Sequence, residues 1–252
     1  MYDPELRAQA VALLASGQAM RDVSDSLGVP YFTLRYWREN PARPRSCPRC
    51  AQPPTLPDPS TDYAYLLGLY LGDGCISVVG DPRKLVWQLR IACADAWPGL
   101  LQECARAMQA VLPGNKVGFQ QGDGCKYVRA SSKHWPCLFP QHGVGRKHTR
   151  PIILEPWQQA IVDEFPGPFA RGLFHSDGYR GLNRIKHSLP SGDRWYAYPR
   201  YLFVNQSADI RAMCGQALDE LGVAWRYSKQ NTISVARREA VARLDQFVGP
   251  KY

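Results

Sequence analysis

Two nine-residue stretches of the sequence share one pattern. The first is Leu66-Leu-Gly-Leu-Tyr-Leu-Gly-Asp-Gly74 and the second is Ala170-Arg-Gly-Leu-Phe-His-Ser-Asp-Gly178. Both contain Gly-Leu, then an aromatic residue and, after two further residues, Asp-Gly; the two Asp-Gly pairs lie 104 positions apart. A single Asp-Gly is typical of an ordinary hairpin turn. The recurrence of the whole pattern indicates an internal repeat instead.

The segments after each stretch also recur in the same order. A β-rich hairpin, a helical stretch and a second hairpin follow each copy, and the copies end near Lys147 and Lys251, again 104 positions apart. The predicted strand and helix spans of the first copy are 75–79, 85–93, 98–111 and 116–132, and those of the second are 179–185, 198–205, 208–221 and 224–235. This order predicts two αββαββα units and an α+β fold class.

Small residues in the two stretches predict how their helices pack. Gly68 and Gly72 are four apart, as are Gly172 and Ser176, so each pair lies on one face of a helix. Small side chains on facing surfaces allow two helix backbones to approach closely, which would bring the C-terminal carboxylates together. Two adjacent carboxylates repel each other unless a cation lies between them. Mg²⁺ prefers a few carboxylates together with water.

The two stretches resemble the LAGLIDADG motif of homing endonucleases, and the order of the surrounding elements is similar to that family over residues 62–252. Both motifs depart from the family pattern at the sixth position, where Leu71 and His175 replace the usual acid. The acid at the eighth position is present twice, as Asp73 and Asp177. The resemblance implies the double-motif, monomeric type, with two pseudo-symmetric repeats and saddle-like antiparallel sheets.

The resemblance also implies which residues form the active site. The implied catalytic set is Asp73, Asp177, Lys147, Lys251 and Gln206. A divalent cation, Mg²⁺ in the first instance, would be held by the two motif carboxylates and by the adjacent backbone carbonyls of Gly72 and Ser176. We expect His175 to be a packed core histidine rather than a catalytic one.

Residues 1–40 predict a small all-α unit of three helices, over 3–15, 20–27 and 30–39, and the last two resemble a DNA-binding helix-turn-helix. In that geometry the third helix enters the major groove. Its outward residues are Tyr31, Phe32, Arg35 and Arg38, of which Arg35 is the best candidate for gripping a guanine. The alternative is a packing module without DNA contact, and the net charge of −1 over residues 1–40 favours that alternative.

Residues 41–61 form a linker that contains seven prolines and the sequence Cys47-Pro-Arg-Cys50. A C-x-x-C pair is half of a tetrahedral zinc site. The nearest complement is His134 with Cys137, and Cys125 and His142 are further options for a structural Zn²⁺. The alternative is a pair of free thiols in a loop.

The chain of 252 residues carries a net charge of +9, and residues 166–252 alone contribute +6. A basic domain indicates polyanion binding, although a merely cationic surface explains the same balance. The candidate DNA contacts on the strands and their turns are Arg180, Arg184, Lys186, Arg200, Arg226 and Lys229. Which of them reach bases depends on the strand register.

These observations predict a Mg²⁺-dependent, site-specific double-strand DNA endonuclease, built from a helix-turn-helix domain (1–40), a linker (41–61), repeat 1 (62–165) and repeat 2 (166–252). We expect a monomer that binds a long, asymmetric duplex site. No apolar run approaches the ~20 residues of a membrane span, and we expect a cytoplasmic, nucleoid-associated protein. Two alternatives stay open, namely a catalytically inactive LAGLIDADG-scaffold transcriptional regulator and RNA maturation by the same fold.

Overall fold

The computed structural model describes residues 4–39, 55–81, 84–189, 192–249 and 251–252. The chain divides into two compact units, Met1–Ala51 and Gln52–Tyr252. Among the described helices, none combines the length and apolar character that crossing a membrane requires.

Three helices make up the described part of the first unit: α1 (Pro4–Ala15), α2 (Met20–Leu27) and α3 (Tyr31–Glu39). They pack around a small apolar cluster that includes Ala10, Val23 and Leu34. Gly28 ends α2 in the left-handed conformation, with φ at +62°, and its N–H bonds the carbonyl of Ser24. A left-handed residue at this position suits glycine because it lacks a Cβ.

The second unit contains two four-stranded antiparallel sheets flanked by helices. The first half consists of α4 (Thr61–Asp73), β1 (Gly74–Val78), β2 (Trp87–Ala94), α5 (Pro98–Val111), β3 (Val117–Gln121), β4 (Cys125–Ser132) and α6 (Trp135–Leu138). The second consists of α7 (Pro156–Glu164), α8 (Pro166–Asp177), β5 (Gly178–Leu189), β6 (Gly192–Val204), α9 (Ala208–Glu220), β7 (Arg226–Lys229), β8 (Thr232–Val235) and α10 (Arg238–Asp245). The strand orders are β1-β2-β4-β3 and β5-β6-β8-β7, so the predicted α+β class with two equivalent sheets is confirmed.

Each sheet buries one face against helices and leaves the other face open. In β2 the side chains of Leu89, Ile91 and Cys93 are buried, and these alternate with less buried residues. The same alternation holds in β6, where Tyr201 and Phe203 are buried. Because alternate residues of a strand point to opposite faces, this pattern fixes which side of each sheet meets the core.

The two motif helices, α4 and α8, pack directly against each other at the centre of the second unit. Nine consecutive residues of α4, from Tyr63 to Leu71, are buried. A Cβ atom added to Gly68 would lie 2.5 Å from the carbonyl oxygen of Phe169 and 2.7 Å from the amide nitrogen of Leu173, both on α8. The glycine is therefore what permits the close approach of the two backbones.

Replacing Gly68 with Ala should lower the free energy of unfolding, although alanine is the better helix former by ~1 kcal/mol. The added methyl group meets backbone atoms that cannot rotate away, so the helices must separate, and overpacking of this kind costs about 1–3 kcal/mol. Urea unfolding measures the difference. Gly114→Ala is the control because a Cβ there meets no atom within 4 Å. Equal stability of the two variants would contradict the packing.

The long β5–β6 ladder differs from the predicted spans of 179–185 and 198–205. It runs from the pair Gly178 and Phe203 to the pair Leu189 and Gly192. Strand β8 pairs only with Tyr201–Val204, so the distal part is a two-stranded ribbon whose residues are largely exposed on both faces. With neither face buried, no hydrophobic alternation is required, and the sequence pattern gave no sign of these residues.

Candidate active site and nucleic-acid interface

Asp73 and Asp177 are the last residues of α4 and α8. The close packing of these helices brings the second carboxylate against the first motif, since a Cβ atom on Gly72 would lie 3.1 Å from Oδ2 of Asp177. Each helix ends where a glycine, Gly74 or Gly178, takes extended backbone and starts a strand. The sequence therefore places both carboxylates at equivalent ends of two helices, as predicted from the repeat.

The two carboxylates are only partly removed from solvent, Asp73 less than Asp177. Burial, and next the negative charge of Asp177, raise the pKa of Asp73 to about 6, although Lys251 and Lys147 act in the opposite direction. Burial also raises the pKa of Asp177 above its ordinary value, while the hydrogen bond from Asn205 opposes that rise. The two lysines therefore do not fully offset the effect of burial on the carboxyl pKa values. A divalent cation would supply further positive charge.

Lys147 and Lys251 occupy equivalent positions at the ends of the two motif helices. Nζ of Lys147 donates to the carbonyl oxygens of Gly72 at 2.9 Å and Gly74 at 2.6 Å. Nζ of Lys251 donates to the corresponding carbonyl oxygens of Ser176 at 3.1 Å and Gly178 at 2.7 Å. The carbonyls of Gly72 and Ser176, predicted as metal ligands, therefore each accept a hydrogen bond from a lysine here. A carbonyl oxygen has two lone pairs and can serve both a lysine and a cation.

The surroundings of the two lysines differ. Lys147 begins a short 3₁₀ helix, Lys147–Thr149, and its Nζ lies 4.9 Å from the centre of the Tyr70 ring. Burial lowers the pKa of Lys147 to about 8, although the charges of Asp177 and Asp73 act in the opposite direction. Burial lowers the pKa of Lys251 as well, against the same two carboxylates.

A side chain that the sequence analysis did not select contacts Asp177. Nδ2 of Asn205 donates to Oδ2 of Asp177 at 2.6 Å, and Oδ1 of Asn205 accepts from the amide of Ser207 at 2.7 Å. The neighbouring Gln206, which the resemblance implied, has an exposed side chain. Asn205 follows directly after strand β6. A prediction that ended this strand one residue earlier would have identified Asn205 instead of Gln206. In repeat 1 the equivalent position is Asp95, which accepts from Gln121.

His175 is buried within α8, and both of its ring nitrogens have partners. Nε2 lies 3.0 Å from the carbonyl oxygen of Val248, and Nδ1 lies 3.0 Å from the hydroxyl of Tyr65. Because a carbonyl can only accept, the proton is on Nε2 and the tyrosine donates to Nδ1. Burial, with a smaller contribution from Arg171, lowers the pKa of His175 to about 4. It is the packed core histidine that the sequence analysis expected.

The zinc hypothesis falls mainly on residues that the structure does not describe. Cys47 and Cys50 lie outside the described residues. His134 precedes α6 and Cys137 lies within it, with the amide of Cys137 donating to the carbonyl of His134 at 2.9 Å. Among the described residues no group of three or more His, Cys, Asp or Glu side chains could hold a metal ion. Zinc binding by the linker stays a hypothesis.

One of the predicted DNA contacts in repeat 2, Arg180, lies on the helix-facing side of its strand. Arg180 pairs with the buried Tyr201 across the β5–β6 ladder, and directly paired residues share a face. The Arg180 guanidinium donates to both carboxylate oxygens of Asp245, at 2.7 and 2.8 Å. Arg184 and Lys186 lie four and six residues further along the strand, on the same side by alternation, in the exposed two-stranded ribbon. These three residues therefore do not share a surface with Arg200.

The remaining three lie together on the open face of the second sheet. Leu202 pairs with Ser234, and Ser234 pairs in turn with Arg226, so these three residues share one face of the sheet. Arg200 lies two residues before Leu202 and therefore points to the same side. Nε of Arg200 donates to the hydroxyl of Ser234 at 2.9 Å. Lys229 pairs with Thr232, two residues from Ser234 on the same side. The open face of this sheet thus carries three positive charges.

The first sheet has an equivalent basic open face that the sequence analysis missed. Arg90 pairs with Cys75 on one side and with Arg129 on the other. Both arginines alternate with buried core residues, so they point away from the helices. Arg90 also lies 5.6 Å from the centre of the Tyr127 ring. The sequence signal for these two arginines was the alternation of apolar and polar residues within 87–94 and 125–132. That alternation identifies the open side of the sheet only after the buried side is known.

On the first unit, the four residues predicted to contact DNA have exposed side chains, while the side chains of Leu34 and Trp37 on the same helix are buried. Phe32 is 79% exposed, which is unusual for a large apolar side chain. The four residues are Tyr31, Phe32, Arg35 and Arg38.

No protein-family model and no curated protein sequence matches this chain. Among solved structures, the chain is similar to a variant of the homing endonuclease I-DmoI, with 17% identity and a TM-score of 0.51 over 76% of this chain and 97% of that one. The chain has the LAGLIDADG homing endonuclease fold. The LAGLIDADG meganuclease I-AabMI, solved bound to uncleaved DNA, is a more distant match, with 12% identity and a TM-score of 0.47 over 73% of this chain and 82% of that one. At these identities the similarity concerns the LAGLIDADG fold itself.

Proposed function

We propose that the chain is a site-specific double-strand DNA endonuclease. The observation that carries the proposal is the pair of carboxylates, Asp73 and Asp177, which share one partly buried site with a lysine at the end of each motif helix. A helix end used only for packing does not require two acids and two lysines in one place. Several titratable groups with shifted pKa values at one place are typical of functional sites.

A divalent cation fits the donor set of this site. The carboxylates of Asp73 and Asp177 would hold it, together with the free lone pairs of the Gly72 and Ser176 carbonyls. Hard oxygen donors of this kind suit Mg²⁺. When bound, the cation would activate water and neutralise the charge that develops on the phosphate.

The chain's own residues have separate tasks in this proposal. Lys147 and Lys251 present positive charge at the two motif ends, where it stabilises the additional negative charge of the phosphate in the transition state. Asn205 holds the Asp177 carboxylate in one orientation through its amide, which is itself fixed by Ser207. These groups are partly buried, so the lysines and carboxylates act in a partly dehydrated site.

We infer that double-stranded DNA lies along the open faces of the two sheets. Each open face carries arginines, two in the first sheet and two, with a lysine, in the second, and phosphate neutralisation by such residues provides most of the affinity of DNA-binding proteins. The exposed side of α3 in the first unit is proposed as a second contact in a major groove. A DNA-bound protein of this kind is proposed to work at the nucleoid of the cytoplasm.

One chain should suffice for cleavage because it contains both carboxylates and both lysines. The two sheets present different side chains, so the preferred DNA site should be asymmetric. A plasmid-library cleavage assay with Mg²⁺ tests this proposal: we expect a single long, non-palindromic site to be cut at protein concentrations at which sedimentation shows a monomer. A palindromic optimum, or activity that requires a dimer, would contradict it.

A further inference from the structure

The chain after α10 returns to helix α5 of the other repeat. The carbonyl oxygen of Tyr252 accepts from the amides of Gly99 at 2.7 Å and Leu100 at 3.2 Å, in the first turn of α5. The amides of a first helical turn have no partner within the helix, so they provide a fixed anchor. Lys251, the lysine of the second motif, directly precedes the anchored residue.

A second anchor acts through the side chain of Tyr252. Its hydroxyl donates to Oε1 of Glu103, also on α5. The same carboxylate accepts from Nη2 of Arg171 on α8, at 2.7 and 2.9 Å. Burial alone would raise the pKa of Glu103, but the Tyr252 hydroxyl and the Arg171 guanidinium outweigh it and hold the pKa below its ordinary value. Glu103 is therefore ionised and joins α5, α8 and Tyr252.

A third anchor lies on the other side of Lys251. Nε2 of His175 donates to the carbonyl oxygen of Val248 at 3.0 Å, and the Tyr65 hydroxyl fixes the His175 ring by donating to Nδ1. Lys251 thus lies between a backbone carbonyl held by α8 and a residue held by α5. At the motif position of His175, repeat 1 has Leu71, which cannot form such a bond.

From this arrangement we propose that Glu103, Tyr252 and His175 are positioning residues that hold Lys251 at the end of the second motif helix. The inference rests on the proposed endonuclease function. A lysine side chain is long and flexible, so fixing the backbone on both sides restricts where its ammonium group can lie. Misplacing a catalytic group by about 1 Å can cost ~100-fold in rate.

The three positioning residues act on only one of the two lysines. Lys147 is held by the Tyr70 ring and by its own 3₁₀ helix, and its described contacts include none of the three positioning residues. Since each lysine bonds the carbonyls of only one motif, loosening Lys251 should affect one DNA strand more than the other. A general loss of structure would slow the cutting of both strands together.

The test is cleavage of a duplex labelled differently on its two strands by Glu103→Ala and Tyr252→Phe. We expect cutting of one strand to slow about 10- to 100-fold in Glu103→Ala, so that nicked duplex accumulates while the other strand is cut at the wild-type rate. Tyr252→Phe should show the same asymmetry more weakly, because it loses the hydroxyl bond but keeps the backbone anchor. Asp62→Ala is the matched control, since it removes another ion pair of α5, the one between Asp62 of α4 and Arg106.

A second readout does not depend on cleavage. Competitive acylation of lysines, read by mass spectrometry on the full chain without DNA, should show Lys251 reacting at least about threefold faster in Glu103→Ala than in wild type, with Lys147 unchanged. Equal slowing of the cutting of both strands, or unchanged Lys251 reactivity, would overturn the proposed positioning of Lys251. If wild type cuts no DNA, the proposed function fails, and the acylation result alone then supports or overturns the positioning of Lys251. Glu103→Gln, which still accepts from Tyr252, should recover most of the lost strand rate.

Discussion

Replacing Asp73 or Asp177 with Asn should lower the rate of DNA cleavage by at least ~10³-fold, because a metal ion supplies several kcal/mol of transition-state stabilisation and each 1.4 kcal/mol is tenfold in rate. The amide keeps the shape of the carboxylate but loses the charge that holds a hard cation. DNA affinity should stay unchanged or rise, since the variant has one negative charge fewer. A cleavage assay in Mg²⁺ and a gel shift on the same duplex measure the two quantities.

Asp163→Asn is the matched control for these variants, because Asp163 is an exposed residue of α7 that bonds only Gln159 among its described contacts. It should cut at the wild-type rate. Normal cleavage by both Asp73→Asn and Asp177→Asn would show that the metal site has been assigned to the wrong residues.

Replacing Lys147 or Lys251 with Met should lower kcat by about 10²- to 10³-fold, the effect expected for a lost transition-state contact. Methionine fills a similar volume without the charge, so substrate binding should change much less than the rate. Single-turnover cleavage at saturating enzyme separates the two effects. Lys126→Met is the control, because Lys126 pairs with the buried Cys93 on the helix-facing side of its sheet.

An affinity loss as large as the rate loss would contradict a transition-state role for either lysine. It would instead place the lysine among the ordinary phosphate contacts, which act on ground-state binding.

The centre of the fold was predictable because the sequence repeats it. The Asp-Gly pairs, the small residues on one helix face and the matched lysines all recur at a constant interval, and the structure places the four charged residues at two equivalent helix ends. The span predicted for α5, 98–111, coincides with the observed helix. Buried elements carry such signals because packing dictates their pattern of apolar residues.

The DNA-facing residues were harder to predict because they depend on strand register. A shift of one residue moves a side chain to the opposite face of a sheet. This is why Arg180, bound to Asp245, could not be told from Arg200 by composition, and why Asn205 rather than Gln206 contacts Asp177. Arg90 and Arg129 were missed for the same reason.

Two further features have different causes. Helix α7 begins with a capping box, in which Glu155 and Gln158 bond each other's backbone amides. This signal is present in the sequence as Glu155-Pro-Trp-Gln158. The internal repeat does not predict the helix, because the sequence before the first motif has no matching segment. The distal β5–β6 ribbon offered no comparable signal, since exposed strands place few demands on sequence.

We propose above all that one chain cuts both strands of a specific DNA duplex with a divalent cation at Asp73 and Asp177. The most direct measurement compares binding and cleavage by wild type on one duplex selected from a random library, with Mg²⁺ and with a chelator. We expect the protein to bind this duplex under both conditions and to cut both strands only with Mg²⁺. Tight, specific binding without cleavage in Mg²⁺ or Mn²⁺ would contradict the proposal and would favour the inactive regulator.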